Sequence, residues 1–237
     1  MLSSQSQAIL DQLRGGLIVS CQTQLPLGMP EVIGLMAQVA VESGAVAIRA
    51  NGPENVAAVR ERVRVPILGI NKQRVEGYQV FITPTLESAL AVIDAGAEIV
   101  ALDGAPAPRP SGIDLRTLID GVHARGALVM ADISTLEEGI YAAECGADIV
   151  ATTLSGYTPY SPKLEGPDLD LIENLAKITD RPIIAEGRMY TPDNVRQAFE
   201  RGAFAVVVGR AITEPKLLTG FFARATPRGQ LLDHDRH

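Results

Sequence analysis

The chain of 237 residues has no tryptophan, five tyrosines, five phenylalanines, three histidines and two cysteines. So few aromatics supply neither a base-stacking platform nor an aromatic cage. Two cysteines, Cys21 and Cys145, cannot build a disulfide framework, and both sit in apolar runs that predict buried free thiols. No run of ~18 apolar residues is present, so no membrane span is expected. The first residues, MLSSQSQAILDQLRGG, lack a basic patch followed by a long apolar run, so no secretory signal is read and a cytoplasmic location is the default. Basic residues are in deficit: 21 Lys and Arg against 28 Asp and Glu give a net charge of −7, which disfavours a nucleic-acid surface. There is no zinc-type ligand cluster, and no HExxH, GxSxG or Walker motif.

What is present is a repeated phrase. ESGAVAIRA, DAGAEIVALD, ECGADIVATTL and ERGAFAVVVGR surround Gly44, Gly96, Gly146 and Gly202, which are 52, 50 and 56 residues apart. Each phrase reads as a helix end, a glycine stop and a short apolar strand. A spacing of that size fits two strand–helix units. The intervening strands are GLIVS at 16–20, VPILGI at 65–70, ALVMAD at 127–132 and PIIAEG at 182–187. All eight are nearly continuous apolar runs, as expected of strands covered on both faces. Helix-length segments fall at 28–43, 54–63, 85–94, 114–125, 135–144, 168–178, 192–201 and 214–225. Ser134 followed by Glu137 reads as a capping box, and Pro192 with Asp193 opens the penultimate helix.

Eight strands alternating with eight helices predict one (β/α)8 TIM barrel over 1–237. A further N-terminal helix at about 4–14 closes its bottom, and a polar tail starts at about 227. An open doubly wound sheet is the alternative, but the regular spacing shows no switch point. His234 and His237 fall in the tail, where no metal role is expected.

Barrel chemistry sits at the C-terminal ends of the strands. The polar residues there are Gln22, Arg49, Lys72, Asp103, Asp132, Thr152 with Thr153, Glu186 with Arg188, and Arg210. The loops AEGRMYTPDN and VVVGRAITEP place Gly187, Gly209 and Arg210 where barrels commonly hold phosphate. The alternative is that both glycines are turn residues and Arg210 is a solvated charge. Lys72 and Glu186 form the natural acid/base pair, since a lysine in a dry mouth has its pKa drawn toward neutrality. The alternative is a structural ion pair between loops. Asp132 is placed to orient Lys72 or hold a substrate hydroxyl. Cys21 reads as a small buried hydrophobe.

These residues carry a family likeness. GGLIVSCQ at 15–22, GAVAIRANG at 44–52, PILGINK at 66–72, GAEIVALD at 96–103, MADISTLEEG at 130–139, GADIVATTLSGYT at 146–158, PIIAEGR at 182–188 and GAFAVVVGRAIT at 202–213 together resemble the N-acetylmannosamine-6-phosphate 2-epimerase family. That resemblance implies a ribulose-phosphate-binding type of barrel and epimerisation at C2 of an N-acyl hexosamine 6-phosphate, with no cofactor and no metal. It implies Lys72 as the catalytic lysine and Glu186 as its strand-seven partner. Gln22, Arg49 and Asp132 fall on substrate positions, with Thr153 and Arg188 beside them, and Gly187, Gly209 and Arg210 grip the phosphate. The chain departs from the family pattern in LDGAPAPRP, where a segment of the type LDAT-x-R is usual; Arg109 survives before Pro110. Asn71, Gln73 and Ala151 also depart from it.

Two other functions compete. A metal-dependent pentulose-phosphate epimerase or another phosphosugar isomerase needs histidines at strand ends. The one histidine outside the tail, His123, is in a helix. A non-catalytic phosphosugar-binding module is the other, although it has no need of an acid/base pair. The expected partner is a small-molecule phosphosugar, with no nucleic acid and no membrane; a homodimer is the base-rate expectation for such a barrel.

Overall fold

A computed structural model describes residues 3–110 and 112–228. Residues 229–237, with the histidines at 234 and 237 and most of the polar tail, lie outside the described residues. The order is α1 (Ser4–Leu13), β1 (Leu17–Cys21), α2 (Pro30–Glu42), β2 (Ala47–Asn51), α3 (Pro53–Arg62), β3 (Ile67–Ile70), α4 (Leu86–Asp94) and β4 (Ile99–Asp103). It continues with α5 (Leu115–His123), β5 (Leu128–Asp132), α6 (Leu136–Cys145), β6 (Ile149–Ala151), α7 (Leu169–Ile178), β7 (Ile183–Ala185), α8 (Pro192–Glu200), β8 (Ala205–Val208), α9 (Arg210–Thr213) and α10 (Pro215–Arg224).

Each strand pairs in parallel with the next, and β1 pairs with β8 through Leu17↔Val206, Ile18↔Val207 and Val19↔Val208. The sheet is therefore a closed barrel, and the doubly wound alternative is excluded. Alternation along the strands sorts the apolar residues into two cores. Ile18, Leu68, Ile70, Ile99, Met130, Ile149, Ile184 and Val207 fill the barrel interior. Leu10 and Leu13 of α1 join that interior cluster, so the extra helix does close the N-terminal end. Val19, Ile48, Ile67, Val100, Val129, Val150 and Val206 pack outward under the helices.

The repeated phrase now has a physical basis. Gly44, Gly96, Gly146 and Gly202 have φ of 107°, 111°, 109° and 93°, the left-handed conformation that turns a helix end into a strand without a Cβ penalty. The acid after the repeated glycine also has a task. Glu98 accepts the Ile67 N–H at 2.9 Å, and Asp148 accepts the Val129 N–H at 2.8 Å, so each ties down the start of a neighbouring strand.

Three details differ from the sequence reading. The helix at 135–144 is capped by Thr135, not Ser134; Glu138 donates its N–H to Thr135 Oγ1 and returns its carboxylate to the Ser134 N–H and hydroxyl at 2.7 and 2.8 Å. β7 ends at Ala185, so Glu186 and Gly187 belong to the loop. The last helix is preceded by the one-turn α9, and α10 has no buried residue.

Candidate active site

At the C-terminal end of the barrel, the β–α loops enclose a cavity of about 980 Å³. Gln22, Lys72, Asp103, Thr153, Glu186, Gly187, Arg188, Gly209 and Arg210 all line it. Arg49 and Asp132 do not. Arg49 is 1% exposed and Asp132 0%, and they lie in contact with two residues that do line it. The Arg49 guanidinium donates to Asp132 Oδ2 at 2.5 Å, to Glu186 Oε2, and to Thr153 Oγ1 at 3.3 Å. Thr153 Oγ1 donates to Asp132 Oδ1 at 2.6 Å. One cation thus sits between two carboxylates and fixes both.

Burial raises the Glu186 pKa, opposed first by the Arg49 cation and reinforced by Asp132. Lys72 reaches into the open mouth, where its ammonium donates to Gln22 Oε1 at 2.8 Å. Packing around that ammonium desolvates it and lowers its pKa, and Arg49 adds like-charge repulsion. Gln22 in turn donates to Ser20 Oγ at 2.7 Å, so the side chain predicted to meet the sugar also orients the lysine. Cys21 is buried and its thiol is pushed up to about 12 by desolvation, which removes it from nucleophilic chemistry at neutral pH.

The residues expected to grip a phosphate cluster on the side of β7 and β8. Gly187 has φ 106°. A Cβ at Gly209 would lie 3.3 Å from Ser20 Cβ, so glycine keeps this turn tight against β1. Arg210 lines the cavity but is half exposed, with Nε donating to Glu214 at 2.8 Å, four residues along. Arg188, at φ 54°, donates Nε to the Gly166 carbonyl at 2.6 Å and Nη1 to the Ser155 carbonyl. It braces the β6–α7 loop and retains a buried Nη2 without a protein partner. Among the described residues, no group of three or more His, Cys, Asp or Glu is placed to hold a metal ion.

Comparison with known proteins places this arrangement. The model of the family described as "Putative N-acetylmannosamine-6-phosphate epimerase" matches residues 33–228. The chain belongs to the N-acetylmannosamine-6-phosphate epimerase family. A relative from Caldanaerobacter subterraneus subsp. tengcongensis, named "Putative N-acetylmannosamine-6-phosphate 2-epimerase", is 50% identical over 218 residues, covering 90% of this chain and 92% of its own length. One of the same name from Cutibacterium acnes is 47% identical over 229 residues, covering 94% and 99%. The solved structure of the N-acetylmannosamine-6-phosphate 2-epimerase from Clostridium perfringens matches with a TM-score of 0.90 at 42% identity, covering 92% of this chain and 96% of that one.

Within this epimerase-family barrel, the altered loop after β4 has a steric logic. A Cβ at Gly104 would meet Ile133 Cγ2 at 2.6 Å and Ala131 Cβ at 3.1 Å, so the chain here passes too close to β5 for a side chain. Arg109 is buried beneath the loop, donating to the Asp103 carbonyl at 2.6 Å, and does not line the cavity; Ala105 and Ala107 do. Asn71 also has a use, since its Nδ2 donates to the Ser88 carbonyl at 3.3 Å. Sequence reasoning missed Glu138 and Tyr160, which line the cavity and join at 2.8 Å, tying the β6–α7 loop to α6. The signal available for Glu138 is a carboxylate at the third position of α6, just after the Ser134 and Thr135 hydroxyls.

Proposed function

We propose that this chain interconverts N-acetylmannosamine 6-phosphate and N-acetylglucosamine 6-phosphate by moving a proton at C2. The observation that carries the reading is one cavity lined by both Lys72, whose ammonium is held by Gln22, and Glu186, held by Arg49 and Thr153; their surroundings lower the lysine's pKa and raise the glutamate's. The C2 proton is acidic once the ring opens and C1 is an aldehyde. Neutral Lys72 takes that proton, leaving an enolate whose oxygen gathers charge. A proton returned to the opposite face gives the epimer. Glu186, whose position is fixed by Arg49 and Thr153, serves ring opening or proton return. Gly187, Gly209 and Arg210 hold the phosphate, so remote binding energy orients the reacting end. The chemistry requires no cofactor.

Proton NMR with N-acetylmannosamine 6-phosphate in deuterated water tests this. The expected result is N-acetylglucosamine 6-phosphate carrying deuterium at C2, abolished in Lys72→Met while sugar phosphate still binds. Neither product nor exchange in the wild type rejects the activity, and exchange that survives Lys72→Met rejects the base.

The assembly proposed is a homodimer. α10 offers Leu218 and Phe222 on an unburied face, with Phe222 76% exposed. On α2, Gly34 faces α3, a Cβ there falling 2.8 Å from the Ala58 carbonyl. Helical periodicity turns Val32, Leu35, Met36 and Val39 to the side away from α3, and Leu35 and Val39 are exposed. Two copies that set α10 of one against α2 of the other bury both faces reciprocally, as a two-fold interface does. Light scattering should give a dimer, and Phe222→Asp a monomer; a wild-type monomer at micromolar concentration rejects it.

A further inference from the structure

Lys72 is not on a strand. β3 ends at Ile70, and Lys72 sits on an arm that leaves the barrel and returns, pairing with Ile82 in an isolated antiparallel bridge. What holds that arm decides where the ammonium stands. The first fastening of the return limb to β4 is the Asp103 side chain. Asp103 Oδ2 accepts the Phe81 N–H at 2.7 Å and the Ile82 N–H at 2.8 Å, while the Asp103 N–H donates to the Ile82 carbonyl at 2.9 Å. The Phe81 carbonyl, next to one of those N–H groups, accepts the Gln73 N–H at 2.8 Å. The carboxylate therefore acts, through the Phe81 peptide, on Gln73, the residue that follows the lysine. A second fastening lies at the base of the arm. Thr83 Oγ1 accepts the Asn71 N–H at 3.0 Å and donates to the Ala101 carbonyl of β4 at 2.7 Å. Asp103 is itself held from below, where Arg109 donates to its carbonyl.

Resting on the reading of Lys72 as the base, we propose that Asp103 is a positioning residue that sets the Lys72 ammonium at the substrate carbon through the 72–82 arm. It takes no proton in the reaction. Its contribution is an acceptor oxygen for two backbone N–H groups, buried at 3% exposure and shielded from competing water. Both bonds go to a single oxygen, so an amide can replace the acid. The arm's displacement on losing that oxygen acts at the carbon end of the sugar and leaves the β7–β8 phosphate grip alone.

The test compares Asp103→Asn, which keeps the acceptor, with Asp103→Leu, which removes it. Asp103→Leu should lower kcat by about a hundredfold, the scale of a misplacement near 1 Å, with KM changed by less than about threefold. Asp103→Asn should restore most of kcat. Thr83→Val, which removes the second fastening without changing size, should reproduce the kcat-selective loss if Asp103→Leu does not fold. A readout independent of turnover is 13Cε-lysine NMR, in which the four lysines, Lys72, Lys163, Lys177 and Lys216, give four signals. The Lys72 signal should titrate below the ordinary lysine range in wild type and Asp103→Asn, and move toward that range in the leucine or valine variant. Asp103→Asn as inactive as Asp103→Leu would show that the carboxyl itself does chemistry and overturn the proposal. An unmoved Lys72 signal or an undiminished kcat would do the same. A wild type inert toward the hexosamine phosphate would sink the proposed function instead, and the lysine titration would still decide Asp103.

Discussion

Replacing Arg49 by methionine isolates what the buried cation does. Arg49 and Asp132 are 1% and 0% exposed, and Glu186 is 14% exposed, so the value for a buried pair applies and the near-zero value of a surface pair does not. Removing one partner of such a network costs about 3–5 kcal/mol, because the remaining charges stay buried without compensation. For a chain of this size that is a fall in Tm of roughly 6–20 °C. The loss should depend on pH. Arg49 is the chief group opposing the upward shift of Glu186, so without it the folded carboxyl rises further above its unfolded value of 4.5. An acid with a raised folded pKa costs stability fully above that pKa and nothing below the unfolded value. The variant should therefore recover part of its deficit between pH 7.5 and pH 5. Arg49→Met with Glu186→Gln should recover more, since one of the two stranded acids is gone. Urea unfolding of wild type, the single variants and the double variant at both pH values measures each quantity. A loss below about 1 kcal/mol, or one that does not change with pH, would refute the account of the network as a buried cation compensating two acids.

Arg210→Ala should weaken sugar-phosphate binding in calorimetry while leaving the C2 step of bound substrate nearly intact; unchanged affinity removes Arg210 from the phosphate grip. Cys21, with its thiol pushed up to about 12, should resist maleimide in the folded protein and label on unfolding; rapid native labelling of that residue contradicts its burial. His123 has its pKa raised by its hydrogen bond to Asp148 at 2.8 Å. Its stabilisation is therefore present below the unfolded value of 6.5 and lost as pH rises through the folded value. Wild type should exceed His123→Gln in stability by more at pH 5.5 than at pH 8, and the reverse order would sink the assignment.

The barrel was legible because its grammar is local. A glycine that must turn left-handed, an acid that ties the preceding strand and a continuous apolar run are all written within ten residues of one another. Helix ends were legible for the same reason, and the Thr135 cap was misplaced by one residue because Ser134 and Thr135 offer the same hydroxyl chemistry. The site was legible only to the level of which strand end carries which residue. That Arg49 and Asp132 stay out of the cavity depends on side-chain length and on Thr153 and Glu186, more than a hundred and about twenty to fifty positions away in sequence. Gln22 as the partner of Lys72 is likewise a contact over fifty residues. Arg188 read as a substrate contact because its position allows it; its use on two loop carbonyls follows from a long β6–α7 loop with no periodicity to read. The unburied face of α10 was invisible, since its apolar spacing is that of any helix packed on a barrel.

The pairing of β1 with β8 has a consequence during synthesis. The first strand emerges from the ribosome with nothing to close against, and its edge partner is the last strand of the barrel to be made. Until Val208 is out, β1 and β7 are both bare edges on a growing, strongly apolar sheet, the kind of surface that aggregates. The final link, in which the Thr213 hydroxyl donates to the Ser20 carbonyl at 3.0 Å, comes later still. A nascent chain stalled short of that point already holds Lys72 and Glu186 and has no closed mouth around them, so the site is complete only once synthesis has passed Thr213.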